Sequence, residues 1–321
     1  MEFNPRLPTE ETRLCHRQIE SFARKTARGG AVTFRTDKGE SFLHIFPTNC
    51  IFGLFDILGF TSFCEHCDPQ NAATVFKLMD DFDIEIPKIV AAGLDVNKNI
   101  PPEKMEMITS RLRWLVFSDT VFVAMPFDSS DQPDTLKFNL IFFTILVAHI
   151  NRRMFEIGLP VRGAVHVGDV ILGKRCFAGK ALVEAFNLGK KIQVAGTVIS
   201  EQANAFIFNH FSNPTGFQMM FKNLIIECDV PTDTKQLQNS IWCNTSGKIK
   251  TLCWFYLQMG PVERFTIPLD LNRFITQKFT AHGKKLLDVS EKMKAVNTEK
   301  LFSDWKAANH RDYQEEVFLR K

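Results

Sequence analysis

The chain has 321 residues, of which 45% are hydrophobic and 23% charged, and these values exclude a disordered or collagen-like protein. The 39 Lys and Arg residues against 36 Asp and Glu residues leave a net charge of +3, too little for a nucleic-acid binder that acts through bulk charge. The 31 Phe residues, against 2 Tyr and 4 Trp, predict a large core rich in phenyl rings.

The N-terminal residues are polar and of mixed charge, without the apolar segment of a signal peptide. The longest apolar runs, Leu112–Pro126 and Leu140–Ala148, are interrupted or shorter than the ~18–20 residues that a membrane span needs. The 8 cysteines have irregular spacing, which is typical of reduced, mostly buried thiols. We therefore expect a cytoplasmic protein that binds neither a membrane nor nucleic acid.

The predicted elements begin with an N-terminal extension, residues 1–47, which holds a short helix and a strand pair. The continuous apolar run Cys50–Phe55 then predicts a buried strand. Asp68 and Pro69 supply a helix cap and a first-turn proline, and apolar residues at helical spacing extend this helix to about Ala92.

A tight hairpin follows, because two apolar, strand-forming runs, Arg111–Phe117 and Thr120–Met125, are separated only by Ser118 and Asp119. A long helix is predicted over Leu136–Phe155 and a strand over Pro160–Val167. The remaining predicted elements are a helix at Gly179–Gln193, strands at Phe217–Glu227 and Lys250–Tyr256, and helical structure from Pro268.

The predicted order of strand, helix, strand, strand, helix, strand indicates an α+β fold with a ferredoxin-like βαββαβ antiparallel sheet flanked by helices. We place this domain at 48–262, followed by a C-terminal helical segment at 263–321. If the helical crossover leads to a parallel neighbour, the hairpin turns at the edge of the sheet where the first strand ends. Strands 1 and 3 are neighbours in this fold, so Asp56 and Asp119 should converge at that edge, where they could bind a divalent cation.

Two aspartates of this kind suit Mg²⁺ or Mn²⁺, which prefer oxygen ligands and keep waters or substrate phosphates in their shell. Two such ions can activate an attacking hydroxyl and stabilise a leaving pyrophosphate. The alternative is that Asp56 only caps the turn that follows it and that Asp119 is only a turn residue. That role explains Asp119 well but Asp56 poorly, because burying its carboxylate within an apolar segment would cost several kcal/mol without a partner.

Four segments resemble the class III nucleotidyl cyclases. Leu54–Thr61 is similar to their first metal-binding motif, F-x-D-I-x-G-F-T, with Leu54 in place of the first Phe. Phe117–Thr120 resembles their second metal-binding turn, usually Gly-Asp, and Arg162–Gly168 resembles their R-x-G-I-H-x-G strand. Gly179–Leu188 occupies the place of the family's W-G-x-x-V-N-x-A-x-R helix. The similarity spans about residues 48–200.

This resemblance implies cyclisation of a nucleoside triphosphate to its 3′,5′-cyclic monophosphate plus pyrophosphate, in a head-to-tail homodimer with active sites at the interface. It implies that Asp56 and Asp119 are catalytic and hold two divalent cations, Mn²⁺ or Mg²⁺, with the backbone carbonyl of Ile57. The substrate-binding positions that it implies are Phe55, Gly59, Phe60, Thr61, Leu115 and Cys176. Phe60 could equally be an ordinary core residue.

The chain also departs from the family pattern. Leu115 stands where adenylate cyclases have Lys and guanylate cyclases Glu, and Cys176 stands where adenylate cyclases have Asp and guanylate cyclases often Cys, so neither purine-reading pair is present. The helix has Val183 and Asn187 in place of the Asn and Arg that stabilise the transition state. Nearby cations that could substitute, or could be ordinary surface side chains, are Lys174, Arg175, Lys180, Lys190 and Lys191.

With the Asp-Ile-Leu-Gly-Phe motif, these departures resemble most closely the pyrimidine cyclases of bacterial Pycsar anti-phage signalling. That resemblance implies a uridylate or cytidylate cyclase whose cyclic UMP or cyclic CMP activates a separate effector. Two alternatives remain open: a purine cyclase that uses ATP or GTP, and a catalytically degenerate homologue that only binds nucleotide.

Overall fold

The structure is a computed structural model that describes residues 47–95, 110–128, 130–172, 177–210, 223–232, 248–254, 268, 270–286 and 289–319. The N-terminal helix and strand pair predicted from the sequence lie outside these residues.

The first half of the domain follows the predicted order, except that the short helix Phe60–His66 was not predicted. The first strand is longer than predicted at both ends, because residues on either side of the apolar run also pair with neighbouring strands. The elements are β1 (Pro47–Ile57), α1 (Phe60–His66), α2 (Pro69–Asp95), β2 (Arg113–Phe117), β3 (Thr120–Pro126), α3 (Pro133–Glu156) and β4 (Val161–Leu172).

The second half contains two short strands and a helix that the sequence patterns did not predict, namely Phe177–Ala178, Gly196–Ile199 and Glu201–Asn209. The strand Gly196–Ile199 has only four residues, and a run this short has no recognisable periodicity. The elements are β5 (Phe177–Ala178), α4 (Lys180–Lys191), β6 (Gly196–Ile199), α5 (Glu201–Asn209), β7 (Ile225–Cys228), β8 (Ile249–Leu252), α6 (Leu271–Phe279), a 3₁₀ turn (Ala281–Gly283) and α7 (Val289–Leu319).

The strands form one sheet in the order β2-β3-β1-β4-β6-β8-β7, with β5 paired to β4. Neighbouring strands are antiparallel except β4 and β6. The order of the first four strands is ferredoxin-like, so the predicted α+β fold class is confirmed. One detail is corrected: β2 runs parallel to β1 but is not its neighbour, since β3 lies between them. The apolar β3, buried over five consecutive residues, takes the central place, and the half-exposed β2 takes the edge.

Helices cover both faces of the sheet. On one face lies α3, whose Asn151 accepts a hydrogen bond of 2.7 Å from Thr197 of β6. On the other face α4 packs against β4 so closely that a Cβ on Gly168 would lie 2.6 Å from Ala181. His166 of β4 is buried on this second face, with its Nδ1 2.8 Å from Ser200 Oγ.

Helix α3 is the one helix in the described part of the chain that is long and apolar enough to cross a membrane. Its most apolar 18-residue window has a mean hydropathy of 1.2, and 61% of that window is buried inside the protein. The core helices of soluble proteins often have this length and hydropathy, so these two properties of α3 are weak evidence for a membrane span.

The core is rich in aromatic rings, as the Phe content predicts. The ring of Phe155 at the end of α3 lies 5.6 Å from Trp254 and 5.2 Å from Phe302 of α7. The indole of Trp305, also on α7, donates a hydrogen bond of 3.0 Å to Thr251 of β8. The C-terminal helices are therefore part of the same hydrophobic core as the sheet.

Candidate functional site

The candidate site lies at the edge of the sheet where β1 ends. Asp56 is flanked by Thr120 of β3 on one side and by Arg162 of β4 on the other. One residue further, the N–H of Ile57 donates a hydrogen bond of 2.9 Å to the backbone oxygen of Asp119 in the β2–β3 turn. This bond ties the turn to the end of β1, so the topology brings together two carboxylates that are 63 positions apart in the numbering of the chain.

The two carboxyl groups lie close enough for the charge of Asp119 to affect the pKa of Asp56. Burial, the charge of Asp119 and a side-chain hydrogen bond to Asp119 raise the pKa of Asp56 to about 6, against the opposing effect of Arg162. A pKa raised in this way means that the half-buried pair resists carrying two negative charges. A divalent cation between the carboxylates would relieve that repulsion.

Arg162 is the positive group nearest to this pair in the described structure. Its Nε and Nη2 donate to one oxygen of Asp56 at 3.3 and 3.2 Å, and its Nη1 donates to the backbone oxygen of Lys190 at 3.0 Å. Arg162 begins the motif Arg162–Gly168, but the sequence patterns did not assign it to the site. No local signal could have done so, because its place opposite Asp56 depends on the register in which β4 pairs with β1.

The backbone on both sides of the pair adopts left-handed conformations. Ser118 in the hairpin turn has φ 54°, a conformation that favours glycine, and the resembled family usually has glycine here. Gly59, which precedes α1, has φ 73° and tolerates this conformation without strain. The turn at Ser118 therefore stores local strain directly beside Asp119.

The donor set fits Mg²⁺ or Mn²⁺ better than a softer metal. It consists of two carboxylates and, from the same strand end, the carbonyl of Ile57, all of them oxygen ligands. The described residues contain no group of three or more His, Cys, Asp and Glu side chains that could enclose a metal. Such a site leaves coordination positions for water and for substrate phosphates.

The aromatic residues expected to contact substrate are buried. Phe55 is fully buried and points to the face opposite Asp56, where its ring would lie 2.4 Å from a Cβ on Gly163. Phe60 is 8% exposed and its ring lies 6.0 Å from that of Phe63, so it packs as an ordinary core residue. Thr61, in the first turn of α1, is exposed.

Leu115 lies on the same face of the sheet as Asp56. It pairs with Phe122 of β3, and Phe122 pairs with Leu54 of β1, so Leu115 is two strands away from Asp56 and two residue pairs further from the end of β1. The side chain is apolar and half-buried. The second position expected to read the base, Cys176, lies outside the described residues.

The basic residues of α4 were candidates to replace the family's cations. In the structure they contact other α4 side chains or are exposed. Lys180 is 3.6 Å from Glu184 with a side chain that is 91% exposed, and the ammonium of Lys190 lies 4.2 Å from the centre of the Phe186 ring. Lys191 is half-buried, and Lys174 and Arg175 lie outside the described residues.

No protein-family model matches the chain. No curated protein matches it either. Among solved structures, the crystal structure of the adenylyl cyclase CyaB from P. aeruginosa is similar over 70% of this chain and 100% of that one, with 14% identity and a TM-score of 0.38. The crystal structure of the guanylyl cyclase Cya2 has the same coverages, with 13% identity and a TM-score of 0.31. Both are distant likenesses, and the function proposed below rests on the residues of the site.

Proposed function

We propose that the protein is a metal-dependent nucleotidyl cyclase that converts a nucleoside triphosphate to its 3′,5′-cyclic monophosphate and pyrophosphate. The observation that carries this proposal is the interacting pair of Asp56 and Asp119 at the end of β1, with the pKa of Asp56 raised to about 6. The cyclase-like motif Leu54–Thr61, which contains Asp56, supports it.

In the proposed reaction, the ribose 3′-oxygen forms a bond to the α-phosphorus, and the bond from that phosphorus to the bridging oxygen breaks to release pyrophosphate. Asp56, Asp119 and the carbonyl of Ile57 would hold one or two divalent cations. When bound, these would lower the pKa of the 3′-hydroxyl and offset charge on the leaving group. Arg162 orients Asp56 through two hydrogen bonds, and the hydroxyl proton passes to solvent.

For the base, we propose a pyrimidine, so that UTP or CTP is the substrate. Leu115 faces the same side of the sheet as Asp56 and has no polar group with which to read a purine edge. A site that lacks such polar contacts loses purine discrimination. On this proposal the product is cyclic UMP or cyclic CMP, a second messenger for a separate effector in anti-phage defence. The cyclase would act in the cytoplasm.

We also propose that two copies of the chain form a head-to-tail homodimer through the face that carries Asp56. Large apolar side chains are exposed on this face: Phe117 at the end of β2 is 72% exposed, and Val183 and Phe186 on α4 are 57% and 37% exposed. Apolar side chains left exposed together are typical of an interface. A second copy seated here would cover them and close the site.

The test is to incubate the purified protein with Mn²⁺ and, separately, ATP, GTP, CTP and UTP, and to identify products by mass. Asp56→Asn and Asp119→Asn variants should lose turnover, whereas Asp80→Asn, an exposed carboxylate on α2, should keep it. Cyclic UMP or cyclic CMP from the wild type would support the whole proposal. A cyclic purine nucleotide would overturn the base selectivity and keep the reaction. No product from a folded protein would favour the nucleotide-binding homologue.

A further inference from the structure

A cleft between the end of β1 and the C-terminal helices contains a cluster of lysines. The cleft is shallow and open to solvent, and it is lined by Leu58 and Gly59 on one side and by the C-terminal segment on the other. Leu58 and Gly59 come two and three residues after Asp56, so the cleft lies within about 10 Å of Asp56 along the chain. Its charged lining residues are Lys284, Lys285, Lys294 and Glu291.

Lys284 is held in place by the end of α3. Its side chain is buried, and its ammonium donates a hydrogen bond of 2.8 Å to the backbone oxygen of Gly158. Burial lowers its pKa to about 7, while the nearby carboxylate of Glu291 acts in the opposite direction. A desolvated ammonium of this kind is stabilised by an additional anion.

The side chains of the other two lysines have no protein partner within the described residues. Neither the ammonium of Lys285 nor that of Lys294 forms a hydrogen bond or an ion pair there, and both residues line the cleft. This contrasts with Lys180 and Lys190 of α4, which contact Glu184 and Phe186. With three lysines and one glutamate, the cleft carries excess positive charge beside the loop that follows Asp56.

We propose that this cleft is a polyphosphate subsite, in which Lys285 and Lys294, with Lys284 behind them, bind the terminal phosphates of the substrate and the pyrophosphate that leaves. The identity of the ligand rests on the proposed cyclase reaction. The subsite assigns phosphate-binding cations to the C-terminal segment, because Val183 and Asn187 of α4 stand at the places where the resembled family has polar and cationic groups. Lysine ammonium groups form strong charge-assisted hydrogen bonds with phosphate oxygens.

The test is calorimetric binding of inorganic tripolyphosphate at constant ionic strength. The double variant Lys285→Ala/Lys294→Ala should bind at least about tenfold more weakly than the wild type, since each lysine provides a charged hydrogen bond. The matched control, Lys292→Ala/Lys300→Ala, removes the same charge from exposed positions of α7 outside the cleft and should bind as the wild type does. Glu291→Gln should bind more tightly, because it removes the negative charge that faces the ligand.

Equal weakening in both double variants would overturn the subsite, because it would reflect net charge alone, and so would unchanged binding in both. The nucleotide assay separates this proposal from the cyclase reaction. If the wild type makes cyclic nucleotide but the lysine variant binds tripolyphosphate normally, the subsite is wrong and the reaction stands. If no cyclic nucleotide forms but binding depends on Lys285 and Lys294, the subsite stands and the reaction is wrong.

Discussion

Replacing Asp56 by asparagine should stabilise the metal-free protein near neutral pH. The pKa of this carboxyl is raised from 3.8 to about 6, first by burial and then by Asp119. Asparagine resembles the protonated carboxyl in size and charge, so the variant has permanently the uncharged side chain that the folded site favours. The variant would lose the proposed activity while gaining stability, which is a combination expected of a site built to hold a cation.

The sign and magnitude follow from proton linkage. Between about pH 4 and pH 6 the folded protein holds a proton on Asp56 that the unfolded chain has released, so the unfolding free energy falls as the pH rises. The shift of about two units corresponds to a cost of about 3 kcal/mol, present in full above pH 6. Asp56→Asn removes this cost, which for a chain of this size raises Tm by about 5 °C at pH 7.5.

The assay is thermal unfolding of the wild type and Asp56→Asn at pH 7.5 and pH 4, without and with Mn²⁺. We expect a higher Tm for the variant at pH 7.5 and no difference at pH 4, where the wild-type carboxyl is protonated. Mn²⁺ should raise the Tm of the wild type but not that of Asp56→Asn, because the ion binds only the intact pair. Asp80→Asn is the control and should follow the wild type throughout. A variant that is less stable than the wild type at pH 7.5, or equally stabilised at both pH values, would refute the reasoning.

Two further predictions concern the turn beside Asp119 and the exposed apolar face. Ser118→Gly should raise the free energy of unfolding by about 0.5–1 kcal/mol, because glycine adopts the φ of 54° without strain, and a loss of stability in urea unfolding would contradict this. Phe117→Glu should leave stability within about 0.5 kcal/mol but shift sedimentation from dimer to monomer, because Phe117 is 72% exposed on the proposed interface. Val289→Glu, at a residue 75% exposed on α7, is the control and should leave the sedimentation unchanged.

Much of the fold and part of the site could be predicted from the sequence. The helices α2 and α3 and the β2–β3 hairpin have strong local signals: helical apolar spacing, a first-turn proline, and two polar residues between apolar runs. The segments β6 and α5 were missed because they are short, and what stabilises them is burial against β4 rather than a periodic pattern. The positions of Asp56 and Asp119 at one edge followed from strand order, which is a topological argument and needs no side-chain detail.

The sequence by itself determined the α+β fold class and the edge of the sheet on which the two aspartates lie, because both depend on the order of local elements and on rules for their connection. Only the tertiary structure decided which charges surround that edge. Arg162 faces Asp56 because β4 pairs with β1 in one particular register. Lys285 and Lys294 line a cleft beside Leu58 and Gly59 because the C-terminal segment folds back onto the end of α3. Contacts between residues so distant in sequence are set by packing of the whole core, and no local pattern encodes them.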